Sequence, residues 1–316
     1  FRNPAEREQQ MSMKMKKYIY AFAALSAGLV LGSACTEQRN FYEAGEYVMF
    51  ADTLNVYPVQ QDVEYFSVPV VSTVSRNYDR TFGVEIIDAG SDAIETLHYR
   101  LKSNTVTIKA GETRADVLVH GCYDALDPAV TPSFTLSLVM PDALEMPQYG
   151  RRSKVLLQKC CPFDINAFSG WCVLSSTFLQ SYNPYGSYQR LVRCSVNPDR
   201  EKSIICHNWM LKGYDIELRF DDSDPLAPSV TVPEGQVMSD EGSFFGQTHG
   251  DDRILVRSSS VNPSYFSSCG NYLYVWTQMY VYDLDVYIGS VGHFYTVMEW
   301  VSDEEAERLR REGMAM

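Results

Sequence analysis

Apolar side chains recur at every second position through long parts of this chain, and that spacing limits the fold more than any other feature. "YFSVPVV" sets Phe66, Val68 and Val70 against polar or small neighbours, and "TFGVEII" does the same with Phe82, Val84 and Ile86. Successive strand side chains point to opposite faces, so the pattern builds sheets with one apolar and one wet face. An amphipathic helix would need a period of 3.6. "NTVTIKAGETRADVLVHG" reads as a hairpin, with Val106 and Ile108 facing Val117 and Val119 across an Ala110-Gly111 turn. "PSFTLSLVM" adds Phe134, Leu136, Leu138 and Met140. About seven such strands within ~110 residues, with no helix pattern, predict an immunoglobulin-like sandwich over residues 46–158.

"PDALEMPQYGRRSK" interrupts the alternation, and a second antiparallel domain is expected over 159–301. "GWCVLSSTFLQSYNPYGSYQRLVRCSV" reads as a long hairpin turning at Asn183, Pro184, Tyr185 and Gly186. "YDIELRF" alternates Ile216, Leu218 and Phe220 with Asp215, Glu217 and Arg219, and "RILVRS", "NYLYVWTQMYVYDL" and "HFYTVMEWV" supply later strands. The expectation is a sandwich or small barrel of about eight strands, so the whole chain is all-β. The tail, 302–316, changes character. Ser302 and Glu305 form a capping box, and Glu304–Arg308 and Glu307–Arg311 are spaced four apart, which predicts a short charged helix with Ala306 and Leu309 to bury.

The start of the chain is of another kind. Lys14, Lys16 and Lys17 precede an uncharged, mostly apolar run from Tyr18 to Leu31, 14 residues long. A bilayer span takes about 20. A positive start, a short apolar centre and the small residues Gly32-Ser33-Ala34 make an export signal rather than a membrane helix. Cys35 follows at once, as in the lipobox of bacterial lipoproteins, although Gly32 stands where that pattern usually has Leu. The reading is a lipoprotein acylated on Cys35 and held by its lipid alone, with 35–45 as a tether. Met11, Met13 and Met15 are all candidate starts, which leaves Phe1–Gln10 as candidate upstream translation.

Charge narrows the partners. Without the five basic and two acidic residues of 1–34, 22 basic and 38 acidic residues remain, a net charge of −16. Such a chain repels phosphate backbones, which argues against nucleic acid, and repels anionic lipid surfaces too. Beyond Cys35 there are cysteines at 122, 160, 161, 172, 194, 206 and 269, with no C-x-x-C pair, so no structural zinc site is expected. Cys160 and Cys161 are too constrained to bridge each other. Cys194 and Cys206 would lie opposite each other in a hairpin centred on Arg200, and buried thiols are the preferred reading for most of the set.

No catalytic signature stands out. There is no G-x-S-x-G, and His98, His120, His207, His249 and His293 are scattered, each read as a strand-surface or loop residue. "FDDSDP" at 220–225 and "GDD" at 250–252 lack the spacing of a calcium loop and read as solvated acids. No P-loop or dinucleotide fingerprint occurs, so neither enzyme activity, metal nor cofactor is expected. Aromatic residues carry more promise. Among 21 tyrosines, Tyr182, Tyr185 and Tyr188 fall on one predicted turn, and Trp209 completes the four leading candidates, with Trp276 weighed as a further one. Exposed rings stack on sugar C–H faces while their polar edges bond hydroxyls, so these four are the expected glycan-binding residues. Trp276, inside a strand, is expected to pack against cross-strand neighbours.

"CPFDINAFSGW" at 161–171 and "FYTVMEWVSDEEAERLRREG" at 294–313 resemble a group of uncharacterised lipoproteins of Bacteroidota, which join a Calx-beta-like N-terminal domain to an all-β C-terminal domain. The resemblance implies an outer-membrane, lipid-anchored protein at the cell surface. It further implies a non-catalytic accessory that binds polysaccharide or oligosaccharide beside outer-membrane uptake proteins. A structural or adhesive subunit with a protein partner is the alternative, and a β-sandwich hydrolase is the third reading.

Overall fold

The computed structural model describes residues 45–145, 150–182 and 186–316. The expectations on the signal segment, Cys35 and Tyr185 lie outside them. Strands β1 (Val48–Phe50), β2 (Leu54–Val59), β3 (Phe66–Ser72), β4 (Arg80–Ile87) and β5 (Tyr99–Leu101) come first. They are followed by β6 (Thr105–Ile108), β7 (Arg114–Gly121), β8 (Ser133–Val139) and β9 (Arg152–Lys159). One sheet has the order β1-β3-β7-β5 and the other β2-β9-β8-β4-β6, and both are antiparallel except where β2 runs parallel to β9. The alternating residues fill the space between them: Phe66 is half-buried, while Val68, Val70, Val84, Phe134, Leu136 and Leu138 are buried. Each fully buried side chain of this size contributes about 1.5–3 kcal/mol relative to exposure. Tyr99 stacks on Phe134 in the same core, with ring centroids 3.7 Å apart.

The expected 104–121 hairpin does not form. β6 pairs with β4 and β7 pairs with β3 and β5, so the connection crosses from one sheet to the other. Val106 and Ile108 still share a core with Val117 and Val119, but across the sandwich rather than along a ladder. Asp79 fixes the crossing by accepting from the Ala110 N–H at 2.9 Å and from Lys109 Nζ at 2.8 Å, and Gly111 turns it at φ +84°. Only glycine adopts that backbone without strain.

The second set of strands begins with β10 (Gly170–Ser176), β11 (Gln189–Val196), β12 (Ser203–His207), β13 (Ile216–Asp221) and β14 (Ser229–Thr231). It continues with β15 (Gln236–Ser239), β16 (Ile254–Ser258), β17 (Tyr265–Ser267), β18 (Tyr272–Asp283) and β19 (Val286–Trp300). Pairing runs β18-β17-β14-β13-β12-β11-β10-β19, and β19 returns to β18, so eight strands close on themselves like a small barrel. Closure leaves these strands without a free edge. β16 and β15 extend from the far half of β18. Phe163, Phe168, Phe220 and Phe266 interlock at one end of the interior, with centroids 4.9–5.9 Å apart.

Two local expectations need correction. β10 and β11 do pair, but α1 (Thr177–Tyr182) occupies the start of their connection in place of a simple hairpin turn. Phe178 and Leu179 are wholly buried, and the helix is what turns both into the core. A second helix, α2 (Glu241–Phe245), joins β15 to β16, and α3 (Asp303–Arg311) closes the chain. Ser302 Oγ accepts the Glu305 N–H at 3.1 Å as expected. The α3 side-chain pairs differ, however: Arg308 pairs with Glu305 and Glu312, and Arg310 with Glu307. Among the described residues no helix is long and apolar enough to cross a membrane.

Candidate functional site

The three described residues among those expected to bind glycan, Tyr182, Tyr188 and Trp209, do not share one exposed surface. Tyr182 ends α1 half-buried, its ring against Phe178, Phe245 and Phe294 at 4.8, 5.2 and 6.3 Å. Tyr188 is exposed, while Tyr185 lies outside the described residues. Trp209 is 0% exposed inside the barrel core, so it presents no face to a ligand. Its position follows from the reversal between β12 and β13, where the Trp209 N–H donates to the Tyr214 carbonyl at 2.9 Å and draws the ring inward.

A different set of rings does share a surface. Along β18, Leu273, Val275, Thr277 and Met279 are buried, so Tyr272, Tyr274, Trp276 and Gln278 point outward. Cross-strand register adds their neighbours: Tyr265 on β17 opposite Tyr274, and Tyr295 and His293 on β19 opposite Trp276 and Gln278. Tyr265 stacks on Tyr274 with centroids 4.9 Å apart, Tyr272 meets Tyr274 edge-on at 5.7 Å, and Trp276 lies 5.3 Å from Tyr295. Trp276 thus packs across the strands as expected, yet stays only half-buried. Tyr265 is 46% and Tyr295 40% exposed. Four residue steps separate Tyr272 from Trp276, about 14 Å along the strand, the reach of a short oligosaccharide rather than one sugar ring.

Polar groups border the rings. His293 Nδ1 lies 2.9 Å from Ser259 Oγ, and Gln278 Oε1 accepts from Arg257 Nε at 3.0 Å. The backbone beneath Trp276 is pinned by Ser264, whose Oγ accepts the Trp276 N–H at 2.8 Å. Burial, together with the Tyr274 and Tyr272 phenols, raises the Tyr265 hydroxyl above its usual pKa, so it stays a neutral donor and acceptor. Tyr265 and Tyr272 also line a cleft of about 540 Å³ whose other walls include Gln60, Gln158, Lys159 and Asp222. Cys161 and Cys269 lie in the wall of that cleft, joined in a disulfide. Sequence reasoning missed this bridge because the partners are 108 residues apart.

Three of the other described thiols lie together in the barrel core. Cys194 stands opposite Cys206, as expected from the hairpin register, with sulfurs 3.3 Å apart. Cys172 joins them in the barrel interior, and burial pushes the Cys172 and Cys206 thiols well up. The acidic loops bond to their own neighbourhood: Asp221 and Asp224 accept backbone N–H groups two residues on, and Asp222 pairs with Lys202. Among the described residues no group of three or more His, Cys, Asp or Glu could hold a metal.

A family model described as a domain of unknown function, DUF4984, matches residues 148–312, which takes in β9, the whole barrel and α3. The chain belongs to the DUF4984 family. No curated protein matches it. Similar solved structures include a protein of unknown function from Bacteroides ovatus, 10% identical, covering 81% of this chain and 94% of its own, with a TM-score of 0.33. A candidate carbohydrate-binding protein from Bacteroides ovatus is 12% identical over 74% of this chain and 64% of its own, with a TM-score of 0.28. An auxiliary nutrient-binding protein from Bacteroides thetaiotaomicron is 13% identical over 78% and 91%, with a TM-score of 0.29. At those scores none of the three fixes the ligand of this DUF4984 protein.

Proposed function

We propose that this DUF4984 protein is a lipid-anchored, glycan-binding accessory of an outer-membrane nutrient-uptake system, and that the outer face of β17, β18 and β19 is its glycan platform. The observation that carries the reading is the row Tyr265, Tyr272, Tyr274, Trp276 and Tyr295 on one half-exposed sheet face. Rings on a paired sheet are already ordered, so stacking sugar on them costs little further side-chain entropy. Tyrosine and tryptophan combine apolar faces with a polar edge, which suits a ligand whose faces are C–H and whose rim is hydroxyl. The cleft at Tyr265 and Tyr272 gives the chain end of a glycan somewhere to enter.

The anchor reading rests on the short apolar run before Cys35 and on the small residues just ahead of it. Native gels cast with a panel of polysaccharides test the binding role: retardation in at least one gel is expected, and none across a broad panel would end it. An adhesive role is favoured by a separate feature, the β18–β19 turn. Leu284, Val286 and Ile288 are exposed there at 83%, 67% and 47%, which suits a protein partner better than a sugar.

A further inference from the structure

Ser195, His207 and Asp215 form a hydrogen-bonded chain on a part of the barrel that glycan stacking does not use. Ser195 Oγ lies 2.8 Å from His207 Nε2, and His207 Nδ1 lies 2.8 Å from Asp215 Oδ2. The other carboxylate oxygen, Asp215 Oδ1, accepts the Asn208 N–H at 2.9 Å, which fixes the carboxylate in place. Register builds the arrangement. Cys194 opposite Cys206 puts both thiols inside, so Arg193, Ser195 and His207 share the outer face, with Arg193 directly opposite His207. His207 ends β12 and Asp215 immediately precedes β13, and Asn208 at φ +56° makes the reversal that brings them side by side.

The atoms are connected as acyl-transfer chemistry requires: a hydroxyl on one ring nitrogen, a carboxylate on the other. His207 and Asp215 side chains are 38% and 49% exposed, so a substrate can reach them. The face is open rather than enclosed. It therefore suits an ester, whose alcohol leaves easily, better than an amide, which needs far more transition-state binding.

We propose that Ser195, His207 and Asp215 form a serine-nucleophile site that hydrolyses small carboxylic esters. Ser195 Oγ attacks the acyl carbonyl while His207 Nε2 takes its proton. The acyl C–O bond then breaks, and His207 returns the proton to the departing alkoxide. Water, deprotonated by His207 in turn, attacks the acyl-serine, and the returning proton restores the Ser195 hydroxyl. The balance is ester plus water to acid plus alcohol, with no other reactant. Asp215 is a positioning residue that keeps the proton on His207 Nδ1.

The test treats the purified protein with a fluorophosphonate probe and, separately, with p-nitrophenyl acetate. Phosphonylation mapped to Ser195 is expected, with ester turnover above buffer that falls at least about a hundredfold in Ser195→Ala and His207→Ala. Asp215→Asn should lower turnover and shift its pH profile, a change that a merely structural carboxylate would not produce. Ser195→Ala removes one hydroxyl and keeps the fold, so it decides the matter even if the other two variants unfold. Absence of label on Ser195, or turnover unchanged in a folded Ser195→Ala, overturns the proposal. Either result leaves polysaccharide retardation untouched, so the glycan reading stands or falls separately.

Discussion

Arg80 Nη1 lies 2.7 Å from Glu46 Oε1 at the rim of the sandwich core, and Glu46 accepts Arg76 through its other oxygen, also at 2.7 Å. Arg80 is buried; its Nη1 also reaches Ser72 Oγ and the Val74 carbonyl, and its Nη2 donates to the Glu112 carbonyl. The hydrogen bond from Arg76, with Arg80 behind it, holds the Glu46 carboxyl below its usual pKa against the opposing effect of burial. Removing Glu46 would leave a buried guanidinium without its counter-charge, which costs about 3 kcal/mol.

Glu46→Gln should therefore lower the denaturation midpoint at pH 7. Because the folded pKa is depressed, the stability from this carboxylate is present above its unfolded pKa and is lost as pH falls through the folded one. Parent and variant should converge in acid, and denaturant titrations at pH 7 and below pH ~4 check both halves.

Reduction should weaken the barrel end and its cleft together. The Cys161–Cys269 bridge closes a loop across 108 residues, and a loop near that length is worth roughly 4–5 kcal/mol in the chain-entropy account. Cys161→Ser is expected to lower the melting temperature in oxidising buffer and to make it insensitive to a thiol reductant. Equal melting of parent and variant would contradict the bridge.

Trp209→Ala should act on stability rather than on binding. A wholly buried indole removed from a packed core costs about 3–5 kcal/mol, whereas any folded fraction should still be retarded by polysaccharide.

Cys35→Ala should yield unacylated protein that leaves the membrane fraction. Metabolic labelling with a fatty-acid analogue reads this directly, and a variant that stays membrane-bound would contradict the anchor.

The strands were legible because a period of two is a local signal: Phe66, Val68 and Val70 are enough to place a strand and its inner face. What they pair with is not local. The segment 104–121 alternates the same way whether its halves share a ladder or face each other across a core, and what separates the two is long-range, including the Asp79 hold on Lys109 and Ala110. The aromatic platform was hidden for a related reason. "YLYVWTQM" is apolar or aromatic on both faces, and barrel closure alone decides that Tyr274 and Trp276 face out while Leu273 and Val275 face in. Trp209 lies between β12 and β13 in a stretch without alternation, so its inward course is not legible locally. The Ser195–His207–Asp215 chain left no trace in sequence, since its members come from separate elements and meet only through register.

The platform can be tested most directly by comparing the parent with Trp276→Ala, Tyr274→Ala and Tyr188→Ala in a gel whose polysaccharide retards the parent. Retardation lost or strongly reduced in the first two and kept in the third is the predicted result. Retardation that survives in both Trp276→Ala and Tyr274→Ala, with melting curves showing that they fold, would contradict the platform on β17, β18 and β19.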